Sequence, residues 1–524
     1  MNRWISEDIA VLYTACYAYH KNKSTSFCCQ TSYKKTLMKN KKILFIEAPY
    51  SYASAGKELV GKYFPLGIGY LASYIRQFGY SVKIFQPTAD ELYDRELKEL
   101  IKSFEPFIIG ISVMTPSYPR AVEICDIIKS LNKNIFTILG GHHVSAVGKE
   151  ILEQSANTDF AVIGEGEVTL HELVKSLETA KPNYAEIKGL VWRDNERNIF
   201  VNENRELIND IDSLPFPARD LVDMSKFRLH SYIDFGRKST TMITTRGCPY
   251  KCAFCSSWLT MGARYRFRSV ENIMKEVREL VDSGVDHIVF EDDTMALKRE
   301  RIMAICDALT AMPNRPTWYC LTRVDTMDYE LAKKFKAAGC RMVNFGIESG
   351  SPEVLKMIGK KISLDKAVEA IGACKKAGLR TQCTFVIGFP IDTEKTMAMT
   401  YNIARKINPT IAIFFPLTPY PGTKLYNEFL DSSMVPHSIA EWQNYIVHDN
   451  TTGISLNANY TGPEIKALAN KYNRKFYLRP VHWPGMLKTV SNISDLLRLL
   501  RGAIYLLTTS LKERKKVHSF SKSS

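Results

Sequence analysis

From residue 41 the chain alternates short apolar runs with stretches whose apolar residues recur at helical spacing. Ile43-Leu44-Phe45-Ile46, Val82-Lys83-Ile84-Phe85, Phe107 to Val113, Ile135 to Leu139 and Phe160 to Ile163 read as five strands, with amphipathic segments such as Leu71–Gln77 and Arg120–Leu131 between them. This alternation over residues 41–182 predicts an α/β unit on a parallel, doubly wound sheet, which takes its ligands at the carboxyl ends of its strands. The loops expected there are Thr115-Pro116-Ser117, Gly140-Gly141-His142-His143 and Gly164-Glu165-Gly166-Glu167, and glycines in such loops let backbone approach a large ligand closely.

Residues 183–235 form a linker with two strand-like pieces, Leu190-Val191-Trp192 and Ile199-Phe200-Val201, followed by the stiff Leu214-Pro215-Phe216-Pro217-Ala218-Arg219. Between 236 and 440 the alternation resumes, with strands expected to end at Thr245, Phe290, Arg323, Glu348, Phe389 and Leu417. Six such units predict a partial (βα)₆ barrel of TIM type, open on one side. Residues 441–524 read as a helical extension expected to pack over the barrel mouth. Residues 1–40 show no periodic apolar face and read as a disordered leader or an over-extended start, with Met38 as the initiator.

Hydrophobic residues at 45% and charged residues at 24% are ordinary for a globular protein of two to four domains. The net charge of +15 suggests nucleic acid until it is located: residues 1–40 carry +4 and 474–524 carry +9, which leaves +2 for everything between. A basic nucleic-acid groove is thereby excluded from the core. Twelve cysteines are too few for a disulfide scaffold, and no apolar signal core is present, so a reducing cytoplasm is expected. The segment Asp495–Leu511 is too short and too charged to span a bilayer. It reads as a helix packed on its own protein, or as a peripheral membrane contact with the basic run Lys512 to Lys516 on acidic lipid.

The chemistry concentrates in Cys248-Pro249-Tyr250-Lys251-Cys252-Ala253-Phe254-Cys255, a CxxxCxxC spacing. Structural zinc asks for four closed ligands, commonly two cysteine pairs, and Cys306, Cys320, Cys340, Cys374 and Cys383 are scattered singly. A 4Fe-4S cube takes one external ligand per iron, so three thiolates on one loop leave the fourth iron open.

The cysteine spacing, with Phe254 just before the third cysteine, resembles the radical S-adenosylmethionine (SAM) superfamily. Pro65-Leu66-Gly67-Ile68-Gly69, the GGxH and GEGE loops and Thr418-Pro419-Tyr420-Pro421-Gly422-Thr423 narrow the resemblance to its cobalamin-dependent (class B) branch, similar to anaerobic magnesium-protoporphyrin ester cyclases and hopanoid methylases. The resemblance implies a Rossmann-like cobalamin-binding domain, then a radical SAM barrel, and three cofactors: a 4Fe-4S cluster on Cys248, Cys252 and Cys255, SAM, and cobalamin. It places Phe254, Glu291, Asp292, Glu348, Ser349 and Gly388 around SAM, with the acids after the second strand on its ammonium, Glu348 on ribose, Ser349 on carboxylate and Gly388 beneath adenine. It places Thr115, Gly140, Gly141, His143, Gly164, Glu165, Gly166 and Glu167 around cobalamin. None of the ten histidines lies in the Asp-x-His-x-x-Gly pattern that supplies a lower cobalt ligand, so cobalamin is expected base-off. The implied activity is generation of a 5′-deoxyadenosyl radical and methylation of an unactivated carbon in a small or lipid-like metabolite, fed by a flavodoxin or ferredoxin. The alternatives are a radical cyclase that transfers no methyl group and, in another class, a non-catalytic cobalamin-binding protein.

Overall fold

The computed structural model describes residues 41–49, 62–88, 92–227, 236–431 and 454–482, with Ile233, Met434, Val435, 439–442 and Tyr445. The leader, the segment Asp495–Leu511 and the basic tail lie outside the described residues.

In the first sheet, β1 (Lys42–Glu47), β2 (Ser81–Ile84), β3 (Ile108–Ser112), β4 (Phe136–Gly140) and β5 (Phe160–Val162) pair in parallel, in the order 2-1-3-4-5. The two pieces read as linker are β6 (Leu190–Arg193) and β7 (Ile199–Val201), which add to β5 as antiparallel strands. This sheet therefore has seven strands and runs past residue 182. Its faces are buried separately: Leu44, Ile109, Ile111 and Leu139 pack with the helix Tyr118–Leu131, and Ile43, Ile108 and Ile138 with the helices Leu66–Arg76 and Gly166–Leu177.

Six parallel strands form the second sheet: β8 (Ser239–Met242), β11 (His287–Phe290), β12 (Thr317–Thr322), β13 (Cys340–Glu348), β14 (Arg380–Ile387) and β15 (Ile411–Pro416), neighbours in chain order. Strand side chains alternate between faces. Ile288, Phe290, Trp318, Phe345, Phe385 and Phe414 pack outward on helices, whereas Val289, Tyr319 and Met342 cluster inward with Ile233 and Tyr63. The first strand stops at Met242 rather than Thr245. Thr245–Arg246 is instead β9, in an antiparallel ribbon with β10 (Arg266–Phe267).

The helix Gly462–Tyr477 opens on a capping box between Thr461 and Glu464. Its first turns bring Ile465 to Gly388, just past the carboxyl end of β14, and it lies along β15. There Asn473 bonds both backbone groups of Phe414 at 3.0 Å, and the Tyr477 hydroxyl donates to Ala412 O at 3.0 Å and accepts from its N–H at 3.3 Å. Among the described residues no helix is long and apolar enough to cross a membrane.

Candidate functional site

The cysteine loop leaves the β9–β10 ribbon at Gly247, whose φ of +82° and 2.4 Å separation between an added Cβ and Arg264 O leave room for no side chain. Cys248 N–H donates to Gly262 O, Ala253 N–H to Ile358 O at 2.9 Å, and Leu425 N–H to Ala253 O at 2.8 Å. The loop is thus gripped by segments that follow the fourth and sixth barrel strands. All three thiols are free, Cys252 buried and the others partly open. Burial, with Asp293 and the neighbouring thiols adding, pushes Cys248 up to about 11; burial also raises Cys252, while Lys360 works against it. Among the described residues no three His, Cys, Asp or Glu side chains converge closely enough for a single metal ion. A four-iron cube takes its thiolates at separate corners, so three free thiols spaced along one anchored loop suit a cluster better than a lone ion.

After β11, Glu291 and Asp293 are exposed and Asp292 between them is buried. Glu291 and Asp293 are accessible at their surfaces yet ringed by protein. Burial, with Asp292 adding, pushes Glu291 up to about 7, and burial raises Asp293. Asp292, expected at SAM, is sealed at 1% exposure. It accepts from Thr244 N–H at 2.9 Å and from the hydroxyls of Thr244 and Thr245 at 3.1 and 2.5 Å. This carboxylate ends β8 and orients the ribbon.

Glu348 lies at a β-bulge against β14 with a left-handed φ of +65°, costly for a residue with a side chain. Its carboxylate pairs with Lys360 at 2.8 Å. The Arg323 guanidinium stacks on Tyr250 of the cysteine loop at 3.7 Å and bonds the carbonyls of Lys360 and Lys361. Ser349 is buried: its hydroxyl meets Thr400 Oγ1 at 3.1 Å and accepts from Ser351 N–H. At Gly388, Ile465 already fills the side where a Cβ would point, at 2.6 Å. Phe254 stands edge-on to Phe389 at 5.9 Å.

Above the first sheet a cavity is lined by Gly110, Gly140, Gly141, Gly164, Gly166 and Tyr70, and closed from the barrel side by Arg246, Thr260 and Met261. At Gly141 an added Cβ would lie 2.8 Å from Val113 O on a backbone with φ +106°, so the backbone itself requires that glycine. Gly140 and Gly166 instead present bare backbone to the cavity, a cradle suited to a broad, flat ligand. Thr115, buried in a short 3₁₀ turn, does not line it. Of the two histidines, His142 faces the barrel and meets Thr260 Oγ1 at 3.0 Å. His143 turns away and is 1% exposed between Tyr118 and Trp442, a correction to its expected place at the ligand.

Glu165 and Glu167 line the cavity but spend their charges on the barrel. Arg246 pairs with Glu165 at 2.8 Å and Glu167 at 2.6 Å, and Arg266 with Glu165 at 2.7 Å. Arg246 and Arg266 escaped the sequence reading because their carboxylate partners lie 79 to 101 residues away, and Arg323 and Lys360 because only the fold brings them to Tyr250 and to Glu348; Arg246, a charge beside the cysteine motif, carried a local signal.

The B12 binding domain family matches residues 54–174, and the Radical SAM superfamily matches residues 242–404. An uncharacterized methyltransferase of Pyrococcus horikoshii is 35% identical, over 84% of this chain and 94% of its own. An anaerobic magnesium-protoporphyrin IX monomethyl ester cyclase of Rubrivivax gelatinosus is 28% identical, over 74% and 70%. The fold matches that of the radical SAM methyltransferase TsrM from Kitasatospora setae, solved with cobalamin and a [4Fe-4S] cluster, at a TM-score of 0.61 and 19% identity, covering 78% of this chain and 81% of that one. A glycine-walled cavity over one parallel sheet and an anchored three-cysteine loop at the carboxyl ends of another, facing each other, thus belong to a known pair of domains, and the chain is a member of the cobalamin-dependent radical SAM enzymes.

Proposed function

We propose that the protein transfers a methyl group to an unactivated carbon of a small or lipid-like metabolite. The observation that carries this reading is the juxtaposition of the glycine-walled cavity and the cysteine loop across Arg246 and Thr260. When bound, the cluster supplies the electron that cleaves SAM, and cobalamin carries the methyl group. Cys248, Cys252 and Cys255 would hold the cluster, as thiolates once iron is present. Glu291 and Asp293, accessible in a desolvated wall, suit an ammonium, which in turn favours their ionised forms. The Glu348–Lys360 pair offers a carboxylate to hydroxyls and an ammonium to a carboxylate, and no serine or cysteine nucleophile with a base enters the scheme. The name of the Pyrococcus relative supports transfer of methyl, while those of the cyclases keep a carbon-skeleton reaction as the second reading.

Anaerobic turnover of reconstituted protein with SAM, cobalamin and a low-potential reductant tests this. Formation of 5′-deoxyadenosine with a product heavier by one CH₂ unit is expected. A product changed in any other way would favour cyclisation, and no SAM cleavage would leave a cobalamin-binding protein. Supply of the electron by a flavodoxin or ferredoxin belongs to the same proposal.

A further inference from the structure

The base of the cysteine loop is a ribbon of two residues per strand, and its cross-strand partners Arg246 and Arg266 carry like charges. Like charges directly opposite on a ribbon repel, and here both side chains are 3% exposed, where water cannot screen them. The anion between them comes from the other domain. Glu165 turns one carboxylate oxygen to each arginine, at 2.8 and 2.7 Å, and accepts from Ile208 N–H at 2.8 Å. Glu167 takes the second fork of Arg246, whose guanidinium also lies over the Tyr70 ring at 5.0 Å. Arg266 is completed by the carbonyls of Ile208 and Met261. The two acids balance the two arginines, and each is buried.

We infer that Glu165 and Glu167 are positioning residues that close the cysteine loop from the cobalamin-binding domain, so that the loop is held in order only while the two domains are engaged. Neither glutamate touches a cysteine; each acts through Arg246, which stands next to Gly247, and so on the chain's direction into Cys248. Without Glu165 the ribbon has two buried guanidiniums and a single carboxylate, on one side, to serve them. The cheapest relief is for the ribbon to part, carrying residues 247–262 with it. The inference rests on the reading of this loop as the cluster holder and extends it.

Hydrogen–deuterium exchange of the full chain, without added cofactors, tests the closure. Glu165→Gln should raise exchange in peptides spanning 247–262 by about tenfold while β11 to β14 keep the protection of the parent. Glu276→Gln, which disrupts the comparably buried pairs with Arg219 and Arg268, should leave 247–262 as protected as in the parent. If Glu165→Gln fails to fold, Arg246→Lys decides. It keeps the charge but cannot fork to both glutamates, and should loosen the same peptides to a smaller degree. Unchanged exchange over 247–262 in Glu165→Gln, or in Arg246→Lys if that variant must decide, overturns the inference. Loosening of 247–262 by Glu276→Gln to the same degree overturns it too. Iron uptake by the parent is measured separately: a parent that takes up no iron sinks the cluster reading and leaves the exchange result standing.

Discussion

The imidazole of His143 lies 4.6 Å from the Tyr118 ring and 5.0 Å from that of Trp442, and among the described residues neither of its nitrogens has a partner. Burial pushes its pKa from 6.5 down to about 3. The unfolded chain then binds a proton below pH 6.5 that the folded chain refuses, so stability is lost as pH falls from 6.5 towards 3. At pH 5 this amounts to about 2 kcal/mol. His143→Leu should flatten that stretch of the stability–pH curve by about the same amount, measured by urea unfolding at pH 6.5 and 5. Equal slopes would mean a partnered ring. Cobalt spectra of the loaded variant should match those of the parent, because the ring turns away from the cavity. The Glu348–Lys360 pair makes the complementary case at this scale. Lys360→Met alone leaves a buried carboxylate bare and should cost about 3–5 kcal/mol, whereas adding Glu348→Gln should recover much of the loss. Additive losses in that cycle would deny the coupling.

At the scale of elements, the positions of the strands along the chain were legible because apolar runs and turn residues are local signals. Residue runs located β1 to β5 and five of the six barrel strands within a residue or two, whereas the first barrel strand fell short of its expected end. Ile243-Thr244-Thr245 is as β-prone as the run before it, but Asp292 takes the N–H of Thr244 and the ladder stops at Met242. That competition comes from the next strand's end and leaves no trace in the run. The same limit holds at Ser349 and Gly388, which stand at strand ends as the motif places them: only packing shows Thr400 Oγ1 at the Ser349 hydroxyl and Ile465 on the Cβ side of Gly388. For the cysteine loop, replacing Cys248, Cys252 and Cys255 together by Ala should abolish the iron absorbance of anaerobically reconstituted protein, while the far-ultraviolet circular dichroism stays that of the parent. Retention of about four irons per chain would refute the assignment.

At the scale of the whole molecule, the cobalamin-binding sheet does not end where its βα alternation ends. A fragment of residues 41–182 lacks β6 and β7 and bares the edge of β5, whereas 41–227 keeps all seven strands. The longer fragment should stay monomeric in sedimentation and the shorter should self-associate; equal behaviour would make the antiparallel pair dispensable. The barrel meets the same hazard at its own end. Asn473 and Tyr477 stand where a seventh strand would stand and occupy the hydrogen-bonding groups of Phe414 and Ala412. A strand whose outward amides are already taken cannot recruit a neighbour, either from β8 to shut the ring or from a second molecule to extend it. Two side chains on one helix thereby do what a wall of protein would otherwise have to do, and keep a doorway from becoming either a seam or a seed.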